Sequence, residues 1–272
     1  MSGIHSDRCL ETDEIGKMLS DWNVADCAPD SFISIIAPRR SGKSTLCEFF
    51  VHEYRKAHKV DAIFLFSKTQ SGFPQIPSKY RFRTLDKLDD IINIQVKVKN
   101  HNMKQKIKRN KVKSRVIIIL DDFVGGQKEL RRNKMMDSLA TNGRHLSGDE
   151  DVSLMTICLS QIFTGLSPTI RLNTDYTLFT SMANRLERKA LVDAYCCLHS
   201  GRHGLKEGYN LFDVCLGDYV FLCCNGTQAN KRDYPDYMYL YKAKPSKKIS
   251  KEKWIKDDEA WKNNTQHFEW CI

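Results

Sequence analysis

The sequence lacks any apolar run long enough to cross a membrane. None of its stretches approaches the roughly 18 to 20 consecutive apolar residues that a spanning helix needs. The first residues, Met1 to Asp7, have neither a basic start nor an apolar core, so nothing in them resembles a secretion signal. The composition, 41 % hydrophobic and 28 % charged over 272 residues, is that of a globular protein. We therefore expect a chain that is not secreted and has no transmembrane segment.

The chain also lacks Cys-x-x-Cys pairs, repeats and low-complexity segments, although it contains ten cysteines. Without a secretion signal, these cysteines are expected to be reduced thiols, and those inside apolar runs, such as Cys158, behave as small hydrophobes. One cluster leaves a metal site open as an alternative to core and surface thiols. It consists of Cys196, Cys197, His199 and His203.

Acidic residues are absent between Lys97 and Arg115, where nine basic residues occur. The whole chain has 43 Lys plus Arg against 33 Asp plus Glu, a formal net charge of +10, and a second basic run extends from Lys242 to Lys256. Such runs either solvate a surface or bind a polyanion by displacing its counterions. In the first run, the candidate DNA-binding residues are Lys104, Lys106, Lys108 and Arg109.

The most informative stretch runs from Ser31 to Thr45, where an apolar run breaks into a small basic turn. It matches the phosphate-binding loop pattern, a small residue, four others, Gly-Lys and then Ser or Thr. The apolar run Ile33 to Ile36 predicts a buried strand, and helical spacing after the loop predicts a helix over Leu46 to Tyr54. The predicted nucleotide-binding residues are Ala37, Pro38, Arg39, Arg40, Ser41, Gly42, Lys43, Ser44 and Thr45.

Each part of this loop has a physical role in binding ATP with Mg²⁺. Backbone N–H groups and the dipole of the following helix favour phosphate, and Lys43 adds a cation. Ser44 offers its hydroxyl to Mg²⁺. Ala37 stands where Gly is usual, so the turn requires a negative φ at that residue.

Two acids, Asp121 and Asp122, lie at the C-terminal end of another predicted buried strand, Arg115 to Asp122. Because ligands bind at the carboxyl ends of parallel strands, these acids can converge with the phosphate loop. We expect Asp121 to hold Mg²⁺, and Asp122 to orient or deprotonate the attacking water.

A polar residue, Gln161, follows a further buried strand, Ser153 to Ser160. Its amide can bond to the γ-phosphate or the attacking water. The remaining predicted elements are helices over 13–22, 85–107, 129–139 and 184–197, strands over 62–66, 176–179 and 219–224, and an edge strand over 238–242. The predicted fold is an α/β P-loop NTPase domain over 31–242, preceded by a lead-in with a short helix over 1–30 and followed by a basic tail over 243–272.

Taken together, the motifs resemble those of the poxvirus-type genome-packaging ATPases of large DNA viruses, virophages and virus-like transposons, within the FtsK-HerA superfamily. The resemblance covers about Phe32 to Asp175 and continues more weakly to about Leu240. Its motifs are Ala37–Thr45, Ile117–Asp122, Asn142–His145, the strand ending at Gln161, and Pro168–Asp175.

This resemblance implies a RecA-like core with a mostly parallel central sheet flanked by helices. It implies a ring homo-oligomer, most often a hexamer, that hydrolyses ATP to move double-stranded DNA into a preformed capsid, with a capsid or portal component as partner. The expected location is the host cytoplasm or a viral factory, or the virion. An arginine from the neighbouring subunit stabilises transition-state charge in such rings. Arg144 is the first candidate and Arg171 the second, and the alternative for Arg144 is a helix-end cation that bonds carbonyl groups.

Two other functions remain open at this point. One is a P-loop kinase that transfers phosphate to a nucleotide or another small molecule. The other is a virion protein that binds DNA under the control of ATP without hydrolysing it.

Overall fold

A mostly parallel sheet organises the part of the chain that the computed structural model describes, which comprises residues 17, 19–69, 72–121, 134–146, 151–195, 208–210, 212, 218–229, 236–254 and 260–265. The strands are Ser20–Asp21 (β1), Phe32–Ile36 (β2), Ala62–Ser67 (β3), Arg81–Phe82 (β4), Ser114–Asp121 (β5), Val152–Ser160 (β6), Tyr176–Phe179 (β7), Val220–Asn225 (β8) and Met238–Lys242 (β9). Their spatial order is β1-β9-β8-β7-β2-β6-β5-β3-β4. Strand β8 runs antiparallel to both of its neighbours, and the other pairs are parallel.

Helices flank this sheet. The described α-helices are Lys43–Ala57 (α1), Asp86–Lys104 (α2), Lys134–Leu146 (α3), Pro168–Asn173 (α4), Arg185–Tyr195 (α5), Gly226–Ala229 (α6), Lys247–Ser250 (α7) and Ala260–Thr265 (α8). Short 3-10 turns occur at Val24–Asp26, Ser78–Tyr80 and Lys108–Asn110. Within the described ranges, no helix combines the length and the apolar character that a membrane span requires.

The central strands form because their residues are apolar without alternation. Every residue of β2, β3 and β6 is buried, as expected for parallel strands that are covered by helices on both faces. Strand β6 lies between β2 and β5, with Ile36 opposite Ser160 and Asp121 opposite Leu159. The carboxyl ends of these three strands therefore meet at one edge of the sheet.

Most of the predicted elements are confirmed, including the α/β class, the mostly parallel sheet and the helix after the phosphate loop. The helix predicted over 129–139 is observed as α3, which extends to Leu146, while residues 129–133 lie outside the described part. The helix predicted over 184–197 is observed as α5, and the end of that prediction is likewise not described.

Two predictions at one side of the sheet are wrong. Residues Ser20 and Asp21 form a strand instead of continuing a helix to Trp22, because they pair in parallel with Tyr239 and Leu240. For the same reason β9 is not an edge strand, since β1 covers it. Both errors arise from pairing between segments far apart in sequence, which overrides local spacing.

The segments on either side of the predicted ATPase domain contribute to the same core. Trp22 packs its ring against Phe50 of α1, with the ring centroids 5.6 Å apart. Trp254 and Trp261 are each 1 % exposed, and Trp261 donates a 3.0 Å hydrogen bond to Ser114 at the start of β5. The division into residues 1–30, 31–242 and 243–272 stays a prediction about independent folding units.

Candidate functional site

The phosphate loop connects β2 to α1 at the carboxyl edge of the sheet. Ala37 begins it fully buried, with its N–H donating a 3.0 Å bond to Ser160. Among described residues other than glycine, a positive φ occurs at Arg40, Phe73 and Tyr219, so Ala37 has the negative φ that its side chain requires. The left-handed turns of the loop lie instead at Arg40, with φ 60°, and Gly42, with φ 90°.

Lys43 opens α1 and bends back over the loop. Its ammonium group donates to the carbonyl oxygens of Ala37 and Pro38, at 2.8 and 2.9 Å. Gly42, which precedes the helix, supplies no side-chain cap to the N–H groups of its first turn. A cation and a helix N-terminus without a side-chain cap therefore point at the same place, which favours an anion there.

Asp121 is the last residue of β5 and is 9 % exposed. In the sheet it lies opposite Ser67 of β3 on one side and Leu159 of β6 on the other. This position is the one predicted for the first acid of the Asp pair. The second acid, Asp122, lies outside the described residues, and its role stays a prediction.

Gln161 follows β6 and so lies between the phosphate loop and the acidic strand. The turn after it is fixed by Ser160, whose hydroxyl donates to the Ile162 carbonyl at 2.7 Å and accepts from the Ile162 N–H at 3.1 Å. The interposed strand thus holds an amide side chain between the two motifs that were predicted to contact phosphate and Mg²⁺.

These side chains line one cleft of about 790 Å³. Its described lining residues are Arg39, Arg40, Lys43, Ser44, Thr69, Gly72, Asp121 and Gln161. The volume lies in the range of sites for small ligands and cofactors. Its donors fit Mg²⁺ with a nucleotide, because a hydroxyl and a carboxylate are hard oxygen ligands while the basic groups complement phosphate.

Thr69 and Gly72 were not predicted as site residues. Both belong to the loop after β3, and the Thr69 hydroxyl lies 3.3 Å from that of Ser67, the residue opposite Asp121. The sequence did contain a signal for them. The loop at 71–74 follows a buried parallel strand, so its position at the carboxyl edge could have been inferred.

A second group of contacts holds that loop in place. The carboxyl group of Glu48 on α1 is half-buried, and burial raises its pKa, while hydrogen bonds with Gln75 and the Phe73 backbone oppose this rise. The guanidinium of Arg81 donates to the carbonyls of Phe73 and Ile76. The wall of the cleft that contains Gly72 is therefore fixed to the first helix and to β4.

Two buried thiols, Cys47 and Cys158, lie close enough to Asp121 to be affected by its charge. Burial raises the pKa of Cys158 to about 12, and the negative charge of Asp121 contributes. The same two causes raise the pKa of Cys47 well above its usual value. Both thiols remain protonated at neutral pH, so neither supplies a thiolate as a metal ligand or a nucleophile.

Of the two arginines predicted to act between subunits, Arg171 is not among the described lining residues of the cleft. Arg171 is the fourth residue of α4, and its guanidinium carbon lies 5.3 Å from the centre of the Phe163 ring. Arg144 belongs to α3, but its side chain lies outside the described part. Which arginine acts between subunits stays a prediction.

The basic residues predicted to bind DNA lie at the opposite edge of the sheet. Lys108 and Arg109 form a 3-10 turn shortly before Ser114, where β5 begins. An eight-residue strand is about 23 Å long, so roughly the length of β5 separates this turn from the cleft. The four residues Lys104, Lys106, Lys108 and Arg109 are all exposed.

The possible metal cluster at 196–203 lies outside the described residues. Over the ranges that are described, no group of three or more His, Cys, Asp or Glu side chains is arranged to hold a metal ion.

Comparison with known proteins identifies similar folds but no similar sequence. Neither a protein-family model nor a curated protein matches the chain. Among solved structures, the DNA-packaging ATPase B204 from Sulfolobus turreted icosahedral virus aligns with a TM-score of 0.50 at 16 % identity, over 81 % of this chain and all of that one. The genome-packaging NTPase B204 from Sulfolobus turreted icosahedral virus 2 aligns in its complex with ATP-gammaS, with a TM-score of 0.50 at 17 % identity, over 80 % of this chain and 99 % of that one. Its complex with sulfate gives a TM-score of 0.51 at 16 % identity, over 80 % of this chain and 98 % of that one.

This likeness concerns the fold. It confirms the predicted fold class, a P-loop α/β domain with a mostly parallel sheet. It also agrees with the resemblance to packaging ATPases that the motifs indicated. At such low identity, activity and partners rest on the site itself.

Proposed function

We propose that this chain is an ATP-hydrolysing motor that translocates double-stranded DNA into a preformed viral capsid. The observation that carries the proposal is the convergence of Lys43, Asp121 and Gln161, from three adjacent strand ends, on one cleft. The fold shared with a viral DNA-packaging ATPase supports it.

In the proposed site the phosphate loop binds the β- and γ-phosphates of ATP. Lys43 exchanges its bonds to loop carbonyls for bonds to phosphate oxygens, and the N–H groups at the start of α1 add further donors. Arg39 and Arg40, which also line the cleft, add positive charge at its mouth. When bound, Mg²⁺ would be held by Ser44 and Asp121 and would neutralise phosphate charge.

Hydrolysis, as distinct from binding, requires that water be oriented toward the γ-phosphate. Gln161 lies between the phosphate loop and the acidic strand, where its amide can bond to that phosphate or to the attacking water. Asp122, the next residue after Asp121, is the proposed group that accepts the proton from water.

The motor function adds partners to this ATPase. We place DNA contacts on Lys104, Lys106, Lys108 and Arg109, whose exposed charges suit a phosphate backbone. The proposed assembly is a ring homo-oligomer, with a hexamer as the proposed size. In it, Arg144 or Arg171 reaches the site of the neighbouring subunit. A capsid or portal component receives the ring, in the host cytoplasm, a viral factory or the virion.

The test is ATP hydrolysis by the purified chain with and without double-stranded DNA. We expect phosphate release that DNA stimulates and that Lys43→Ala and Asp121→Ala each abolish. The matched control is Lys56→Ala, which removes a lysine from the same helix that is 60 % exposed and pairs with Glu53. This control should retain the wild-type rate.

Each alternative predicts a different result in the same assay. A kinase would transfer phosphate to an added nucleoside, nucleotide or metabolite instead of to water. A virion protein that only binds ATP would show binding sensitive to Lys43→Ala but no turnover with DNA. Either result would refute the proposed motor.

A further inference from the structure

Glu187 is a buried acid whose hydrogen bonds reach from α5 to the loop after Gln161. It is 7 % exposed and lies in the first turn of its helix. Its carboxylate accepts from the N–H groups of Phe163, at 2.6 Å, and Thr164, at 3.1 Å, and from the Thr164 hydroxyl. All three donors belong to residues two or three positions beyond Gln161.

The position of Glu187 in its helix makes these contacts unusual. Asn184 caps α5, because its side chain accepts from the N–H groups of Leu186 and Glu187, at 3.0 and 3.3 Å. An acid three residues after such a cap commonly bonds back to the cap itself. Here the carboxylate is directed to another loop, so its three bonds join two elements that are 23 residues apart.

The loop at 162–164 also makes side-chain contacts with α4 and with the end of α5. The Phe163 ring contacts the Arg171 guanidinium, 5.3 Å from its centre, and the Tyr195 ring, whose centroid is 5.7 Å away. Tyr195 ends α5 and accepts a 2.9 Å bond from Thr177 of β7 at its hydroxyl. Both ends of α5 therefore contact the loop that follows Gln161.

We propose that Glu187 is a positioning residue for Gln161, and that it transmits the state of the γ-phosphate from the cleft to α5. The inference rests on the proposed ATPase function of the cleft. In this proposal Gln161 contacts the γ-phosphate, and the loop at 162–164 shifts when Gln161 shifts. The Glu187 carboxylate couples that loop to α5. Arg171, whose guanidinium lies over the Phe163 ring, also contacts the linked loop.

The physical basis is the fixed geometry of three bonds to one buried carboxylate. The N–H groups of Phe163 and Thr164 share one acceptor oxygen, so they cannot shift independently of it. A displacement of the loop is therefore coupled to a displacement of α5. A charged acceptor makes these bonds stronger than those between neutral groups. The arrangement therefore transmits displacement better than apolar packing alone.

The test uses Glu187→Gln in the full chain. This change keeps the size of the side chain but removes its negative charge, so the N–H groups of Phe163 and Thr164 are left with a neutral amide oxygen as acceptor. We expect kcat for ATP to fall about 10- to 100-fold, because a misplaced catalytic group costs that much. The Kd for ATPγS, which depends on the phosphate loop, should change less than about 2-fold, since the bonds lost are outside that loop.

Two comparison variants separate positioning from stability. Glu53→Gln makes the same substitution on α1, where the side chain pairs with Lys56, and should leave kcat unchanged. Thr164→Val removes the hydroxyl bond to Glu187 while both backbone bonds to it remain, and should lower kcat by a smaller factor. If Glu187→Gln does not fold, Thr164→Val carries the test with the same readouts.

Hydrogen exchange provides a readout that needs no turnover. In the wild-type chain, ATPγS and ADP should protect the N–H groups of Phe163, Thr164 and α5 to different extents. In Glu187→Gln the difference at α5 should disappear, while the difference at 163 and 164 persists. A chain that binds ATPγS and ADP but does not hydrolyse ATP refutes the ATPase, whereas this coupling can still be observed.

An unchanged kcat in Glu187→Gln, or equal nucleotide responses of α5 in both chains, overturns the proposal. A parallel loss of kcat and of ATPγS affinity also overturns it, because that result indicates a structural role without positioning.

Discussion

The ring of Tyr219 lies against the backbone of Gly42, so close that a Cβ at residue 42 would be 2.5 Å from Tyr219 Cδ1 and 2.7 Å from Cε1. Both residues have a positive φ, 90° at Gly42 and 59° at Tyr219. The Tyr219 carbonyl accepts a 3.0 Å bond from Ala243, just beyond β9. The residue just before β8 thus supports the phosphate loop through its aromatic ring.

Gly42→Ala should therefore damage the loop in two ways. The new Cβ disfavours the left-handed backbone, at a cost of about 1 to 2 kcal/mol, and it also overlaps the Tyr219 ring. We expect the free energy of unfolding in urea to fall by about 1 to 3 kcal/mol, with weaker ATPγS binding.

The matched control is Gly143→Ala in α3. A Cβ at Gly143 meets no atom within 4 Å, so the change should stabilise the helix by about 0.5 to 1 kcal/mol. The double change Gly42→Ala with Tyr219→Ala removes the overlap but not the backbone strain. If the single and double variants bind ATPγS alike, the ring does not shape the loop.

Trp254→Ala should loosen the wall of the cleft opposite the phosphate loop. Trp254 is 1 % exposed, its ring centroid is 6.2 Å from that of Phe73, and its backbone N–H donates to the Gln75 carbonyl at 3.3 Å. Phe73 is next to Gly72, which lines the cleft. We expect a loss of about 3 to 5 kcal/mol in the free energy of unfolding, as for other buried tryptophans.

Trp254→Phe distinguishes packing from general damage. The indole nitrogen is buried and has no hydrogen-bond partner. Replacing the indole with a phenyl ring therefore removes an unsatisfied polar group. The loss should be less than about 1.5 kcal/mol, since the ring is retained. ATPγS affinity should fall in the alanine variant and recover in the phenylalanine variant; equal affinities in both would show that the wall does not depend on Trp254.

The sequence allowed the central strands and the main polar residues of the cleft to be predicted, for a physical reason. Parallel strands buried on both faces are continuous apolar runs, and the residues that follow them lie at one edge. Lys43, Asp121 and Gln161 each follow such a run, so their convergence could be inferred without knowing the strand order.

The missed parts depend on contacts between segments that are distant in sequence. Tyr219 reaches Gly42 across the sheet, and β1 pairs with β9 through two residues that show no local strand pattern. The left-handed turn at Arg40 also had no signal, because residues other than glycine rarely adopt a positive φ. Local patterns cannot specify such contacts, since their energy depends on which segments become neighbours.

Alkaline pH should destabilise the fold through Cys27. This thiol is buried, and burial, together with the nearby charges of Asp175 and Asp30, raises its pKa from 9.0 to about 12. Between these pH values the folded chain keeps a proton that the unfolded chain loses. The stability that this thiol contributes is therefore complete below pH 9 and is lost as pH rises toward 12.

The measurement is the free energy of unfolding of the wild-type chain and of Cys27→Ala at pH 7.5 and pH 10. The difference between the two chains should change by about 1.4 kcal/mol in favour of the variant at pH 10. A difference that does not depend on pH would mean that the folded thiol titrates normally.

The basic turn at the amino edge of the sheet tests the proposed contact with DNA. Asn102 closes this turn, because its buried amide accepts from the Val112 N–H and donates to the Val112 carbonyl, each at 2.8 Å. The turn therefore presents its charges from a fixed frame. Replacing Lys104, Lys106, Lys108 and Arg109 with Gln should reduce the slope of log K against log salt by about 3 to 4, since each lost phosphate contact contributes about 1.

A matched variant replaces four exposed lysines of the second basic run, Lys242, Lys244, Lys251 and Lys253, with Gln. It removes the same charge from another surface and should change the slope by less than about 1 if DNA lies along the basic turn. Both variants should retain ATP hydrolysis in the absence of DNA, because the turn lies about 23 Å from the cleft along β5. An equal fall in slope for both variants would mean that DNA binding depends only on the net charge. An unchanged slope in the variant of the basic turn would mean that this turn is a solvated surface that does not contact DNA.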